Sequence, residues 1–167
     1  YYKGFSNETI WPLFHDLIDH CKFKPEYWEA YQKVNKKFAA AVKETINDDD
    51  FIWIHDYHLI SLISYLRKMG VKNKIGFFLH IPFPPTDIYT RLPWREEVLD
   101  SLLEYDLIGF QTPRDRRNFI ISVRTLVDDP AITGKGQVIS IKRKSKVLRA
   151  GVFPISIDAN EFANLAK

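Results

Sequence analysis

Three of the five histidines sit where chemistry could gather: His55 and His58 in the run His55-Asp56-Tyr57-His58, and His80 ahead of Ile81-Pro82-Phe83-Pro84-Pro85. Histidines three apart with an aspartate between them have the donor types for a divalent metal, but no Cys, Glu or further His follows at a ligand spacing. The other reading of His55 and His58 is structural, in which they satisfy loop backbone groups or cap a helix. Asp56, beside an aromatic ring, suits a different chemistry, because a carboxylate there can accept hydrogen bonds from sugar hydroxyls. His80 enters a stretch stiffened by three prolines. A loop set in advance holds a side chain at low entropic cost, although the same prolines also describe a rigid turn whose histidine merely packs. Near the start, Tyr2 and Trp11 flank Asn7; rings beside an amide fit the apolar faces and hydroxyl rim of a sugar, and they fit a core equally well. No Ser, Cys or Lys stands in a nucleophile signature, and Gly134-Lys135-Gly136 lacks the rest of a phosphate-binding fingerprint.

The elements that must position these residues follow from periodicity. Helical spacing runs over residues 10–21 and 25–46, the second with a stripe at Tyr27, Tyr31, Val34, Phe38, Val42 and Ile46. After Asp48-Asp49-Asp50, the run Phe51-Ile52-Trp53-Ile54 predicts a short buried strand, residues 59–69 a helix closed by Gly70, and residues 74–79 a second strand. A helix over 94–104, a strand over 106–110 and a helix from Thr112-Pro113-Arg114-Asp115 to about residue 126 come next, the last opened by a cap, a first-turn proline and a third-position acid. Strands over 137–143 and 146–152 and a helix over 158–166 close the chain. Alternating strand and helix predicts a parallel sheet covered by helices on both faces, with its site beyond the carboxyl ends of the strands.

Composition bounds the rest. At 167 residues, 46% hydrophobic and 27% charged, the chain is one domain able to bury a core without metal or disulfide staples. The 12 Phe, 8 Tyr and 4 Trp suggest thick core packing and an aromatic-lined pocket. A formal charge of +3 with no long single-sign block does not point to nucleic acid, and the basic run around Lys142-Arg143-Lys144 reads as a solvated hairpin. The single Cys21 excludes an intrachain disulfide and fits a reducing compartment, and no stretch of apolar residues is long enough to span a membrane. The chain opens at Tyr1 without a Met and reads as an internal segment.

Five blocks in one order carry a resemblance: the segment from Tyr2 to Trp11, Trp53-Ile54-His55-Asp56-Tyr57-His58-Leu59, Gly76-Phe77-Phe78-Leu79-His80-Ile81-Pro82-Phe83-Pro84, Asp106-Leu107-Ile108-Gly109-Phe110-Gln111-Thr112 and Phe153-Pro154-Ile155-Ser156-Ile157-Asp158. Together they resemble the trehalose-6-phosphate synthase family, glycosyltransferase family 20, over nearly the whole chain. The resemblance implies a Rossmann-like α/β unit. Residues 1–167 would form part of the amino-terminal, acceptor-side domain of a two-domain GT-B transferase, without its first strand, its glycine-rich loop or the carboxyl-terminal nucleotide-sugar domain. It implies transfer of glucose, with retention, from UDP-glucose to glucose 6-phosphate, needing no metal or other cofactor. By resemblance, Tyr2, Trp11 and Asp56 would bind the acceptor, and His80 would contact the donor glucose as the catalytic residue. A cytoplasmic enzyme is expected, with no nucleic-acid or membrane partner. The segment alone should be inactive, and an exposed sheet edge leaves a homo-oligomer open. Residues 128–146 carry no expected function. A glucosylglycerol-phosphate synthase-like transferase and a non-catalytic regulatory subunit of a trehalose synthase complex stay open as alternatives.

Overall fold

The computed structural model describes residues 1–157 and 159–165. A wide helical segment, Tyr2–Ile10, leads into α1 (Trp11–Phe14), a 3₁₀ turn at Ile18–His20, and the long helix α2 (Pro25–Thr45). Then come β1 (Ile52–His55), a 3₁₀ turn at Tyr57–Leu59, α3 (Leu62–Lys68), β2 (Ile75–Leu79), α4 (Thr86–Tyr89), α5 (Arg95–Leu103) and β3 (Leu107–Phe110). The chain ends with α6 (Pro113–Leu126), β4 (Ala131–Thr133), β5 (Val138–Arg143), β6 (Lys146–Val152) and α7 (Ala159–Leu165). The ends of the expected closing helix, Asp158 and Ala166, lie outside the described residues.

One six-stranded sheet runs in the order β1-β2-β3-β6-β5-β4. The first three pairings are parallel and the last two antiparallel. The crossovers from β1 to β2, β2 to β3 and β3 to β6 all advance in the same direction. Right-handed connections therefore stand α3, α5 and α6 over one face, which buries Ile54, Phe77, Leu79, Ile108, Phe110 and Ala150. On the other face the alternating positions are Trp53, His55, Gly76, Phe78, Gly109 and Gly151. Rings fill the room the glycines leave: Phe51 lies over Gly76, and Phe153 over Gly109 and Gly151. The strand expected to be buried over residues 51–54 is buried only at Ile54, because Phe51 and Trp53 are exposed.

Two further expectations need correction. The helix expected over residues 10–21 ends at Phe14, because Asp16 adopts φ 60° and turns the chain out of the right-handed region. In α2 the buried ridge is Tyr31, Asn35 and Ala39, not a stripe through Phe38, which is exposed. Asn35 is tolerated there because its amide donates to the carbonyls of Tyr31 (3.0 Å) and His58 (3.3 Å). Tyr31 anchors the same turn. Its hydroxyl donates to the Tyr57 carbonyl at 2.9 Å and accepts from the Ile60 amide at 2.9 Å, and burial pushes the phenol's pKa upward. Tyr31→Phe leaves two buried backbone groups unpaired and should destabilise the fold by about 2 kcal/mol. A denaturant midpoint unchanged from wild type would contradict this.

Candidate functional site

The parallel register that sets His55 opposite Phe78 makes the chain leave β1 and β2 side by side. The Asp56 amide donates to the Phe78 carbonyl at 2.8 Å, extending the ladder by one bond. Asp56 then takes φ 67°, ψ 169°, a backbone region that L residues rarely occupy and that costs on the order of 1–3 kcal/mol. This bend swings its carboxylate towards β2, where Oδ1 accepts from the His80 amide at 3.4 Å. The two predicted strand-end clusters therefore meet.

His80 is held from several sides. Its Nε2 lies 3.0 Å from His55 Nδ1, the two rings meeting edge to edge with centroids 5.3 Å apart, and Phe78 tilts against it at 4.7 Å. Trp53 stacks on His55 at 5.3 Å, and His80 meets the free edge of the His55 ring. The proline loop beyond His80 is pinned at Phe83, a fully buried side chain. The Phe83 amide donates to Asp115 Oδ1 (3.2 Å), and its carbonyl accepts from Asn118 Nδ2 (2.9 Å). Asp115 also closes the cap of α6 with Thr112, as its third-position spacing predicts. The anchoring of the His80 loop by Asp115 and Asn118 left no separate signal in the sequence, since a capping acid needs no second partner.

Tyr2 and Asn7 come from the first segment and Trp11 caps its end; its amides bond five residues back, as Ser6 to Tyr1 (3.2 Å) and Trp11 to Ser6 do. A π-helix of this kind returns to one side roughly every four to five residues. Phe5, Ser6, Thr9 and Ile10 are thereby buried, while Tyr2, Asn7 and Trp11 fall along another side. Hydrogen bonds clamp the segment, among them Thr9 Oγ1 to the Lys22 carbonyl (2.6 Å), the Lys22 amide to the Glu8 carbonyl (2.7 Å) and Tyr27 OH to Glu8 (2.7 Å). Tyr2 stacks on His58 at 5.1 Å and 10°, and Asn7 Oδ1 accepts from the Tyr57 hydroxyl at 2.8 Å. Trp11 shares this side, but its ring lies over His15 at 4.2 Å, and no ring or hydrogen-bond contact among the described residues ties it to Asp56 or His80.

Burial, reinforced by the Asp56 charge, pushes the Tyr57 phenol up to about 12. Burial lowers His58, against the pull of Asp56. Both rings are therefore neutral near pH 7, beside the one carboxylate of the turn. Among the described residues no group of three or more His, Cys, Asp or Glu converges as metal ligands, and none of their helices is long and apolar enough to cross a membrane. A cleft of about 520 Å³ beside Lys43, Asp48, Met69 and Asn73 lies at the amino ends of the strands, away from this cluster.

A polar cluster beyond the carboxyl ends of adjacent parallel strands, with helices crossing between them, is the arrangement of Rossmann-like α/β enzyme domains. Residues 1–167 match glycosyltransferase family 20, and the chain belongs to that family. The trehalose-6-phosphate synthase of Sodalis glossinidius is 43% identical over 169 residues, covering 100% of this chain and 35% of the relative. The UDP-forming alpha,alpha-trehalose-phosphate synthase of Candida albicans is 45% identical, covering 97% of this chain and 34% of the relative. The crystal structure of a UDP-forming alpha,alpha-trehalose-phosphate synthase from Burkholderia xenovorans, in complex with glucose-6-phosphate, superposes with a TM-score of 0.90 at 39% identity. It covers 99% of this chain and 37% of that one. The chain thus spans about a third of the length of the relatives it matches.

Proposed function

We propose that this chain is the acceptor-side part of a retaining glycosyltransferase that moves glucose from UDP-glucose to glucose 6-phosphate, giving trehalose 6-phosphate and UDP. The observation that carries the reading is the meeting of Asp56 and His80 at the carboxyl ends of β1 and β2, in a chain similar along its whole length to synthases so named. The chain corresponds, in this reading, to part of the amino-terminal half of a GT-B enzyme. The missing parts are a first strand with its glycine-rich loop and a carboxyl-terminal domain that holds the nucleotide sugar. The edge position of β1 suits this, since its outer backbone groups offer a place for a further strand.

Tyr2, Trp11 and Asp56 bind glucose 6-phosphate. Asp56 accepts from the His80 amide with one oxygen, and a carboxylate keeps capacity for a sugar hydroxyl. His80 contacts the donor glucose. The acceptor hydroxyl attacks on the face from which UDP leaves, with no covalent enzyme intermediate, so the protein contributes position and charge stabilisation. That role fits a chain without a nucleophile signature. The enzyme so described works in the cytoplasm without a metal. Its partners are the two sugar substrates and its own second domain, and self-association through the β1 edge would make it a homo-oligomer. The segment by itself is inactive.

Trp11 gives the direct test of the acceptor assignment. In the full-length enzyme, Trp11→Ala should raise KM for glucose 6-phosphate about tenfold and change kcat by less than about threefold, the pattern of lost uniform binding. Calorimetry showing unaltered glucose 6-phosphate affinity would remove Trp11 from the acceptor site.

A further inference from the structure

We infer that His55 is a positioning residue for His80, occupying the Nε2 edge of its ring and leaving Nδ1 as the edge that meets the donor sugar. The inference rests on the proposed contact between His80 and that sugar. A neutral imidazole has one donor nitrogen and one acceptor nitrogen. The 3.0 Å approach of His55 Nδ1 to His80 Nε2 therefore requires one proton between them, carried by either ring. Whichever ring carries it, His80 Nε2 is committed. A sugar hydroxyl both donates and accepts, so it can pair with Nδ1 in either tautomer. What His55 supplies is a direction.

The surroundings keep that direction. Trp53 stacks behind His55, Phe78 tilts against His80, and the His80 backbone is tied to Asp56 through its amide. Rotating the His80 ring to present Nε2 would break the bond to His55. Without His55, the ring could turn about its side-chain bonds and sample poses in which Nδ1 misses the sugar. Such misplacement lowers the reacting population more than it weakens acceptor binding, because the acceptor is held by other residues.

The test uses the full-length enzyme with three substitutions. His55→Ala should lower kcat about tenfold while KM for glucose 6-phosphate stays within about twofold. His55→Asn, whose short amide reaches the position of the imidazole Nδ1, should regain most of the loss. Nitrogen-15 NMR of labelled histidine reads the bond directly. The hydrogen-bonded shift of His80 Nε2 should vanish in His55→Ala and persist in His55→Asn. Wild-type kcat in His55→Ala, an Asn variant no better than the Ala one, or an unchanged Nε2 signal would overturn the pairing. His80→Ala separates the layers. If it leaves turnover intact, the reading of His80 itself fails; if it abolishes turnover while His55→Ala does not, only the pairing fails.

Discussion

His80→Ala, made in the full-length enzyme, should lower kcat about a hundredfold and leave KM for glucose 6-phosphate within about threefold. The magnitude is that of removing one pre-set polar group from the place where charge develops, and the structure shows how thoroughly this group is pre-set. His55 holds its ring, Asp56 holds its amide, and the loop beyond it is fastened to the first two turns of α6 through both polar groups of the Phe83 backbone. A side chain so fixed loses little freedom when substrate binds, so its interaction energy is available in the transition state. The residues proposed to bind the acceptor belong to other segments, Tyr2 to the opening helical segment, Trp11 to α1 and Asp56 to the end of β1, so they should survive the substitution. Steady-state kinetics with both substrates varied separates the two constants. Unchanged kcat would exclude His80 from the reacting centre, and a loss confined to KM would move it to the acceptor.

The parallel sheet is legible because its strands are short apolar runs bounded by strong punctuation. Asp48-Asp49-Asp50 precedes β1, Gly70 and Asn73 precede β2, and the helices between are long enough to show their period. The meeting of His80 with the turn after β1 follows from the same logic, since parallel neighbours release their chains at one end. Three features were out of reach. The segment Tyr2–Ile10 bonds five residues back, and a search for a 3.6-residue period does not register such a turn. β4 is three residues long and has no buried side chain, too little for alternation to mark it. The third is the role of His55. On sequence it is open between metal ligand, partner for loop backbone groups and helix cap, and only the register of β1 against β2 brings its Nδ1 to His80. Conversely, the basic run read as a hairpin does form one, with Lys144 at φ 54° in its turn, but two of its charges are engaged: Arg143 pairs with Asp100 and Lys146 with Asp106.

Asp106 carries the largest expected effect on stability. It sits just before β3, at the end of the sheet opposite the candidate site, and its carboxylate joins three strands and a helix. Oδ2 accepts from the Ile75 amide (2.8 Å) and from Arg67 Nη2 (3.0 Å), and Oδ1 accepts from Lys146 Nζ (3.0 Å) with Lys74 Nζ at 3.6 Å. Arg67 in turn donates to the carbonyls of Val71 (2.8 Å) and Asn73 (2.9 Å), closing the loop into β2. Asp106→Ala leaves an amide and a half-buried guanidinium without their acceptor, which should destabilise the fold by about 3 kcal/mol. For a chain of this length that is a fall in Tm of roughly 6–12 °C. Asp106→Asn, which keeps an acceptor but loses the charge, should fall between. Burial alone would raise the pKa of Asp106; the Ile75 amide, Lys146 and Arg67 outweigh it and hold the carboxyl below its ordinary value. A carboxyl depressed in the folded state gives its stabilisation in full above the unfolded value near 4 and loses it as pH falls through the folded value. The gap between wild type and Asp106→Ala should therefore be constant from about pH 5 to 8 and shrink below about pH 4. Urea titrations across that range decide the point: a gap that widened in acid would mean that Asp106 is not an ionised acceptor. A gap near zero at neutral pH would mean that the three strands are held without it.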